Sequence, residues 1–367
     1  MSIIITEPTW EQKDALRAFY ERVYRLDHPL TNDAFLEWFL RDTPYHDGQG
    51  LSCKIACDGD AIVGNYNYIP VRIWAGEEVI RGRWAANLVV DPAYRKQGIA
   101  SRLIEALASE TDVAVDIGAS AIAEGILQKR GWTHLGILRR YVGVLDPTGA
   151  SLLAEDHSLA GRCVLREERS RETPTPAVET VERFSDDVDA FWRTYRRGIR
   201  YAVERDQQFL RWRYCAHPFF RYTLFQIKDG GGRLAGISVV RMEEVKGLER
   251  PQTVCRIVEF LAFPEYREPL LRHAVRYARE QRAVLIDFFC ASRAYATAFE
   301  QFGFQTASVA NQFARCFNPI LFAKYTISFN GKRINEDIDP AIFSSQEDWY
   351  VTTGDGDQDR PNTNSIG

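Results

Sequence analysis

The run Arg95-Lys96-Gln97-Gly98-Ile99-Ala100-Ser101 has the residue types and spacing to hold a phosphate. Gly98 carries no side chain to block a close ligand, and Ala100 is small. Arg95 and Lys96 add positive charge. Upstream, Leu88-Val89-Val90 is an apolar β-type run that stops at Asp91-Pro92, a turn signal. Downstream, Ile99, Leu103, Ile104 and Leu107 recur at helical spacing. The stretch therefore predicts strand, turn and helix, with the turn at the helix N-terminus. Unpaired backbone N–H groups and the helix dipole make such a terminus an anion site.

Val90-x-Pro92-x-Tyr94 followed by Arg95-x-x-Gly98-x-Ala100 resembles the GNAT family of N-acyltransferases. In that family the pyrophosphate of CoA lies on this turn. The resemblance implies acetyl-CoA or another acyl-CoA as co-substrate, bound through Leu88, Val89, Val90, Arg95, Lys96, Gln97, Gly98, Ile99, Ala100 and Ser101. It also implies that backbone groups of Leu88 to Val90 hold the thioester and meet its carbonyl oxygen as charge develops there.

Acyl transfer to an amine further needs a neutral amine and a proton for the leaving thiolate. The family often places a tyrosine acid four residues before the Gly-aromatic pair, and a glutamate base six residues before the last valine of the strand. Leu127 and Trp84 occupy those positions in this chain. The catalytic candidates that remain are Asp116, at the end of the next strand, Asn87, and Tyr66 within Asn65-Tyr66-Asn67-Tyr68. Glu259 is a more distant option. Asp116 is also placed to cap a helix starting near Ala119, and Tyr66 also fits a core position.

These residues need a frame. The chain has 367 residues, enough for two domains, and 45% of them are hydrophobic. The predicted order of elements is an α/β fold with a mixed sheet. Helices are expected at 9–26 and 31–40, the second capped by Thr31 or Asn32. Strands are expected at 51–57, 61–73, 83–90 and 112–116, then a helix at 119–130 and a strand reaching 145. Part of the pattern then repeats. Phe35-Leu36-Glu37-Trp38 with Pro44-Tyr45 returns as Phe209-Leu210-Arg211-Trp212 with Pro218-Phe219. Val63-Gly64 returns as Ala235-Gly236, Pro92-x-Tyr94-Arg95 as Pro264-x-Tyr266-Arg267, and Arg130-Gly131-Trp132 as Phe302-Gly303-Phe304. Four landmarks at a near-constant offset indicate two copies of one fold.

The copies differ where chemistry is expected. Opposite the phosphate turn stand Glu268, Pro269 and Leu270. Proline removes an N–H donor, leucine would crowd the phosphate path, and glutamate would repel an anion. The expected layout is a CoA-binding GNAT domain at 1–146, a linker at 147–180, a degenerate GNAT-like domain at 181–330 and a tail at 331–367. The linker contains Thr173-Pro174-Thr175-Pro176 and the charged run Arg166 to Arg169.

A net charge of −4, with acidic and basic residues interspersed, offers no nucleic-acid or membrane-surface footprint. No apolar stretch approaches the ~20 residues of a membrane span, and Met1 to Pro8 lacks a signal-peptide pattern. Seven scattered cysteines fit free thiols and a cytoplasmic location. The six histidines form no metal-ligand pattern, so no metal is expected. Asp355, Asp357 and Asp359 imitate the start of a calcium loop, but Arg360 stands where glycine should and no glutamate closes it. An acidic turn that docks back through Trp349 and Tyr350 is the simpler reading.

The expectation is an N-acyltransferase acting on a small primary amine. The duplicated Phe-Leu-x-Trp element and the Asp-Gly-Asp tail resemble tandem GNAT proteins of bacterial surface-polysaccharide loci, which implies an amino-sugar acceptor. A Fem-like aminoacyl transferase also pairs two GNAT folds, but it lacks the CoA turn. A non-catalytic CoA-binding module is the other alternative.

Overall fold

The computed structural model describes residues 3–24, 28–48, 50–165, 176–317, 320–322 and 326–359. The charged run Arg166 to Arg169, Thr173-Pro174-Thr175 and the chain from Arg360 onward lie outside the described residues. So do residues 25 and 26, at the expected end of the first helix.

The first half runs β1 (Ile4–Thr6), α1 (Lys13–Val23), α2 (Asp33–Leu40), β2 (Cys53–Asp58), β3 (Ala61–Ala75) and β4 (Glu78–Val90). It continues with α3 (Ile99–Ala108), β5 (Val113–Ile117), α4 (Ala121–Lys129), β6 (Thr133–Ile137) and β7 (Arg139–Val144). The apolar spacing explains the helices. Leu16, Phe19 and Tyr20 bury one face of α1, and Ile99, Leu103, Ile104 and Leu107 bury one face of α3. Asn32 is the cap of α2, accepting from the Phe35 N–H at 3.3 Å. Helix α3 presses on Gly64 of β3, where an added Cβ would stand 3.2 Å from an Ile99 methyl.

The second half runs α5 (Pro147–Ser151), α6 (Leu159–Arg162), β8 (Val178–Val181), α7 (Val188–Tyr195), β9 (Tyr201–Val203), α8 (Gln207–Leu210), β10 (Thr223–Lys228) and β11 (Leu234–Val245). There follow β12 (Gln252–Ala262), α9 (Pro264–Glu280), β13 (Leu285–Cys290), α10 (Ala296–Gln301), α11 (Ala307–Ala310), β14 (Cys316–Phe317), β15 (Ile320–Leu321), β16 (Ser328–Arg333) and β17 (Trp349–Tyr350).

Two large sheets result, and the mixed α/β expectation holds. The nine-stranded sheet has the order β1-β2-β3-β4-β5-β16-β6, with β9 on β3 and β17 on β9. The six-stranded sheet has the order β7-β13-β12-β11-β10-β8. The pairs β4·β5 and β12·β13 are parallel, while their neighbours on the β3 and β11 sides are antiparallel.

One expectation needs correcting. The strand predicted to run unbroken to residue 145 is two strands, divided at Leu138. β6 stays in the first sheet, and β7 crosses to pair with β13 of the second. In return, β16 from near the end of the chain inserts between β5 and β6. A continuous apolar run does not reveal which sheet each part will join.

Candidate active site

β4 and β5 pair from Gly82↔Val113 to Ala85↔Asp116 and then part. β4 continues to Val90 along β3, and among the described residues no strand covers its other edge beyond Ala85. The register on β3 slips at the same place: Asn65 faces Val89 and Asn67 faces Ala86. The slip is a β-bulge at Asn87-Leu88, with Asn87 at φ 55, a conformation asparagine tolerates better than most residues. The result is a strand edge, Leu88 to Val90, whose backbone groups face an opening.

The edge leads to the predicted turn. Pro92–Tyr94 forms a short 3₁₀ turn, and Gly98 starts α3 in the left-handed region at φ 76. Nothing lies within 4 Å of where a Gly98 Cβ would be. Among the described residues no side chain caps α3. Arg95, Lys96 and Gln97 are exposed around this terminus, while Ile99 turns into the core. An empty cradle, uncapped N–H groups and two cations are a fit for the pyrophosphate of CoA.

The second sheet repeats this geometry with a different outcome. β12 and β13 pair from Val254↔Leu285 to Ile257↔Phe288 and then part, and β12 bulges at Val258. Here the chain's own tail fills the opening. The Ala291 N–H donates to the Val351 carbonyl at 2.9 Å, and the Thr352 hydroxyl donates to the Val258 carbonyl at 2.8 Å. The Tyr350 hydroxyl bonds the Phe260 carbonyl at 3.0 Å and also Glu259. The phosphate turn is absent too, because α9 already begins at Pro264 and runs through Pro269. Leu270 does not crowd a phosphate path. It is fully buried in the core.

After Thr352 the tail crosses to the first opening. Arg213 donates to the carbonyls of Gly354 (2.7 Å) and Gly356 (3.1 Å). Arg205 holds Asp355 at 2.7 Å, and Arg241 holds Asp359 at 2.7 Å. Burial opposes the charge of Asp359, but Arg241 and Arg213 outweigh it and hold its carboxyl at about 2. Asp355 and Asp359 are therefore ion-pair partners of arginines, which is what replaces the calcium-loop imitation. The expected docking residues Trp349 and Tyr350 are buried, and β17 pairs with β9.

Between these anchors, Gly356 lies against Trp84 and Ile117, and Gln358 lies over Gly118. Asp357 is thereby set at the end of β5. The structure gathers three predicted candidates around it. Asp116 is buried and is pushed up to about 7, first by burial and then by the charge of Asp357. Tyr66 is buried, and burial with the charges of Asp116 and Asp357 drives its phenol well above the usual range. Asn87 shares with Asp357 the lining of a small cavity of about 20 Å³ on the α2 side of the sheet.

Other candidates stand elsewhere. Ser120, not Asp116, caps α4, although Asp116 accepts from the Ala119 N–H. Glu259 lies in the second sheet, buried and bonded to Arg205 at 3.1 Å, Tyr214 and Tyr350, so it serves the packing there. Leu127 and Trp84 are core residues. Asp357 is the residue that sequence reasoning missed. The signal available was the Gly354-Asp355-Gly356 run just before it, whose glycines let the tail approach Tyr214 and Trp84 closely.

Residues 49–134 match the model of the acetyltransferase (GNAT) domain. This segment is an acyltransferase domain. It holds β4, the bulge and the Gly98 turn. No curated protein matches the sequence. Solved structures are similar in fold. A conserved protein from Enterococcus faecalis described as a probable N-acyltransferase has a TM-score of 0.59 at 11% identity, covering 91% of this chain and 73% of that one. A GCN5-related N-acetyltransferase from Kribbella flavida gives 0.56 at 15% identity, covering 91% and 71%. The Saccharomyces cerevisiae N-myristoyltransferase with bound myristoyl-CoA gives 0.57 at 9% identity, covering 92% and 86%.

Proposed function

We propose that the protein is an N-acyltransferase that moves an acetyl or other short acyl group from acyl-CoA to a primary amine, with an amino sugar as the favoured acceptor class. The observation that carries this reading is the uncovered β4 edge beyond the Asn87 bulge, running straight to an uncapped, left-handed helix start at Gly98. The backbone along Leu88 to Val90 would hold the pantetheine arm as an added strand and give a donor to the developing oxyanion. The N–H groups of Gly98 to Ser101, with Arg95, Lys96 and Gln97, would hold the pyrophosphate. The bound N-myristoyltransferase ligand is an acyl-CoA, which supports the same donor class.

The two-copy organisation belongs to this reading, with one acyl-CoA site in residues 1–146 and none in 181–330. The linker 147–180 joins the copies and the tail 331–367 serves both openings. What supports it is the matched parting of β4·β5 and β12·β13, together with the tail lying in the second. Seven free cysteines favour a reducing, cytoplasmic setting. Among the described residues no helix is long and apolar enough to cross a membrane. A thiol-release assay with acetyl-CoA across an amine panel, sugar amines included, tests the function. Release that depends on amine supports it, and no release with any amine overturns it.

A further inference from the structure

Strands β16 and β7 hold equivalent places in the two sheets. β16 lies antiparallel between β5 and β6, where Gly331 faces Thr133. β7 lies antiparallel to β13, and on its other side Val142 and Gln305 exchange backbone bonds of 2.9 and 2.8 Å. The registers agree residue by residue. Val113↔Arg333, Val115↔Gly331 and Ile117↔Phe329 in the first sheet correspond to Leu285↔Val144, Asp287↔Val142 and Phe289↔Arg140 in the second. The β5 and β13 residues differ by the offset of the sequence repeat, and β16 and β7 keep one constant offset throughout. Each half therefore lends a strand to the other.

Self-closure, with β7 back beside β5 and β16 beside β13, meets several obstacles. In that register Arg139 would face Ile137, as Ser328 does now, with Leu138 alone between them. That is one residue short of the commonest hairpin loop. Arg140 would take the place of Phe329, which stacks on Trp84 with centroids 6.4 Å apart and meets Trp349 edge-on at 5.5 Å. Val115 stands there in place of Asp287, so the guanidinium would lose the carboxylate it holds at 2.8 Å. It would also lose the carbonyls of Ala310, Phe313 and Ala314. A buried charge without partners is strongly destabilising. Val142 would take the place of Gly331, where a Cβ would fall 2.7 Å from the Phe343 Cζ. Lys332 would take the place of Gly143, where a Cβ would fall 2.8 Å from the Leu165 Cγ.

We propose that the second half is a built-in partner subunit of the first, and that the Leu138 connection, Arg140 and the Gly331–Phe343 contact choose the exchanged arrangement over the self-closed one. A connection too short to close on its own half favours exchange. The exchange reaches the first opening, because the Gly118 N–H donates to the Ser328 carbonyl at 2.8 Å and the Asn330 amide donates to Asp116 at 3.5 Å. Residues 1–146 thus form no complete unit without β16. None of this depends on the acyltransferase reading, and its test reads covalent connectivity, not activity.

The experiment uses the full chain with a protease site placed in the linker at Arg166 to Arg169. Two cysteine pairs report the arrangement. Ala114→Cys with Lys332→Cys are partners in the exchanged sheet, at a separation suited to a disulfide. Val115→Cys with Val142→Cys become partners only on self-closure. After oxidation and cutting, the first pair should keep most fragments joined on a non-reducing gel, and mass spectrometry should find no 115–142 disulfide in the second. Unjoined fragments from the first pair, or a 115–142 disulfide in the second, overturn the proposal. Relieving all three obstacles at once, with Asn-Gly inserted after Leu138, Arg140→Met and Phe343→Ala, should let the 115–142 disulfide form. Its continued absence there shows that these features do not choose the arrangement. If a variant fails to fold, the cut wild-type chain decides. Fragments that part only as they unfold, with one urea midpoint for separation and for loss of structure, support the exchange. Fragments that separate while still folded overturn it.

Discussion

The indole N–H of Trp38 donates to the Trp212 carbonyl at 3.1 Å, and the indole N–H of Trp212 donates back to the Trp38 carbonyl at 2.9 Å. The rings stack with centroids 4.8 Å apart. These are the equivalent tryptophans of the repeated Phe-Leu-x-Trp element, so the contact is reciprocal about a local twofold. Each bond satisfies a buried carbonyl. Trp38→Phe and Trp212→Phe should each cost about 1–2 kcal/mol, a lost bond plus a stranded acceptor. Urea unfolding of both single variants and the double should give nearly equal singles and a non-additive double. Clearly unequal singles would show that the halves do not share the contact evenly.

Gly98→Val should lower CoA affinity by at least about tenfold, because its branched side chain fills open space at an uncapped helix start. The left-handed φ of 76 adds strain of about 1–3 kcal/mol, so the melting temperature should also fall while the fold persists. Titration calorimetry on wild type should give one CoA per chain, since the tail occupies the second opening. Two equivalent sites would contradict that assignment.

Asp116 gives stability a pH dependence of known sign. Its carboxyl has a folded value of about 7 against 3.8 for the free group. Between those values the folded chain keeps a proton that the unfolded chain releases. Stability contributed by this site therefore falls as pH rises through that window. Asp116→Asn keeps the shape and removes the titration. Urea midpoints measured from about pH 4 to about pH 8 should decline less steeply in this variant than in wild type. Parallel slopes would mean that the site does not titrate there.

Asp359→Ala should destabilise the protein by about 3 kcal/mol, at the low end for a broken buried pair, because Glu243 still bonds Arg241 at 3.2 Å. The Tyr222 hydroxyl also loses its acceptor at 2.7 Å. Chemical denaturation checks this, and a loss under about 1 kcal/mol would show that the tail is not clamped as described.

The strand, turn and glycine-led helix start at Gly98 were legible in the sequence because all three are local, within one short stretch. The recurring Phe-Leu-x-Trp element was legible for the same reason. Glu259 shows the limit of such reasoning. It is the counterpart of Asn87 at the offset of the sequence repeat, yet the second opening is filled by the tail, so that position is part of a buried ionic cluster. Leu270 shows another. Its apolar side chain was read as an obstacle, but α9 extends through it and turns it inward. Asp357 could not be placed because Trp84 and Ile117, which meet Gly356 beside it, and Asn87 are remote in sequence, and no local pattern encodes that meeting.

Chains are made from the N-terminus, and early segments fold as they emerge. β16 leaves the ribosome long after β5 and β6, the strands it separates in the finished sheet. Until then β5 has an unpaired edge, and until residues 285–290 are made β7 has no β13 to join. A nascent first half thus presents two open strand edges, the kind of surface that recruits chaperones or sticks to its copies. Only the last part of the chain closes the first sheet. A premature stop before residue 328 would therefore spoil the half it never reaches as well as the half it cuts.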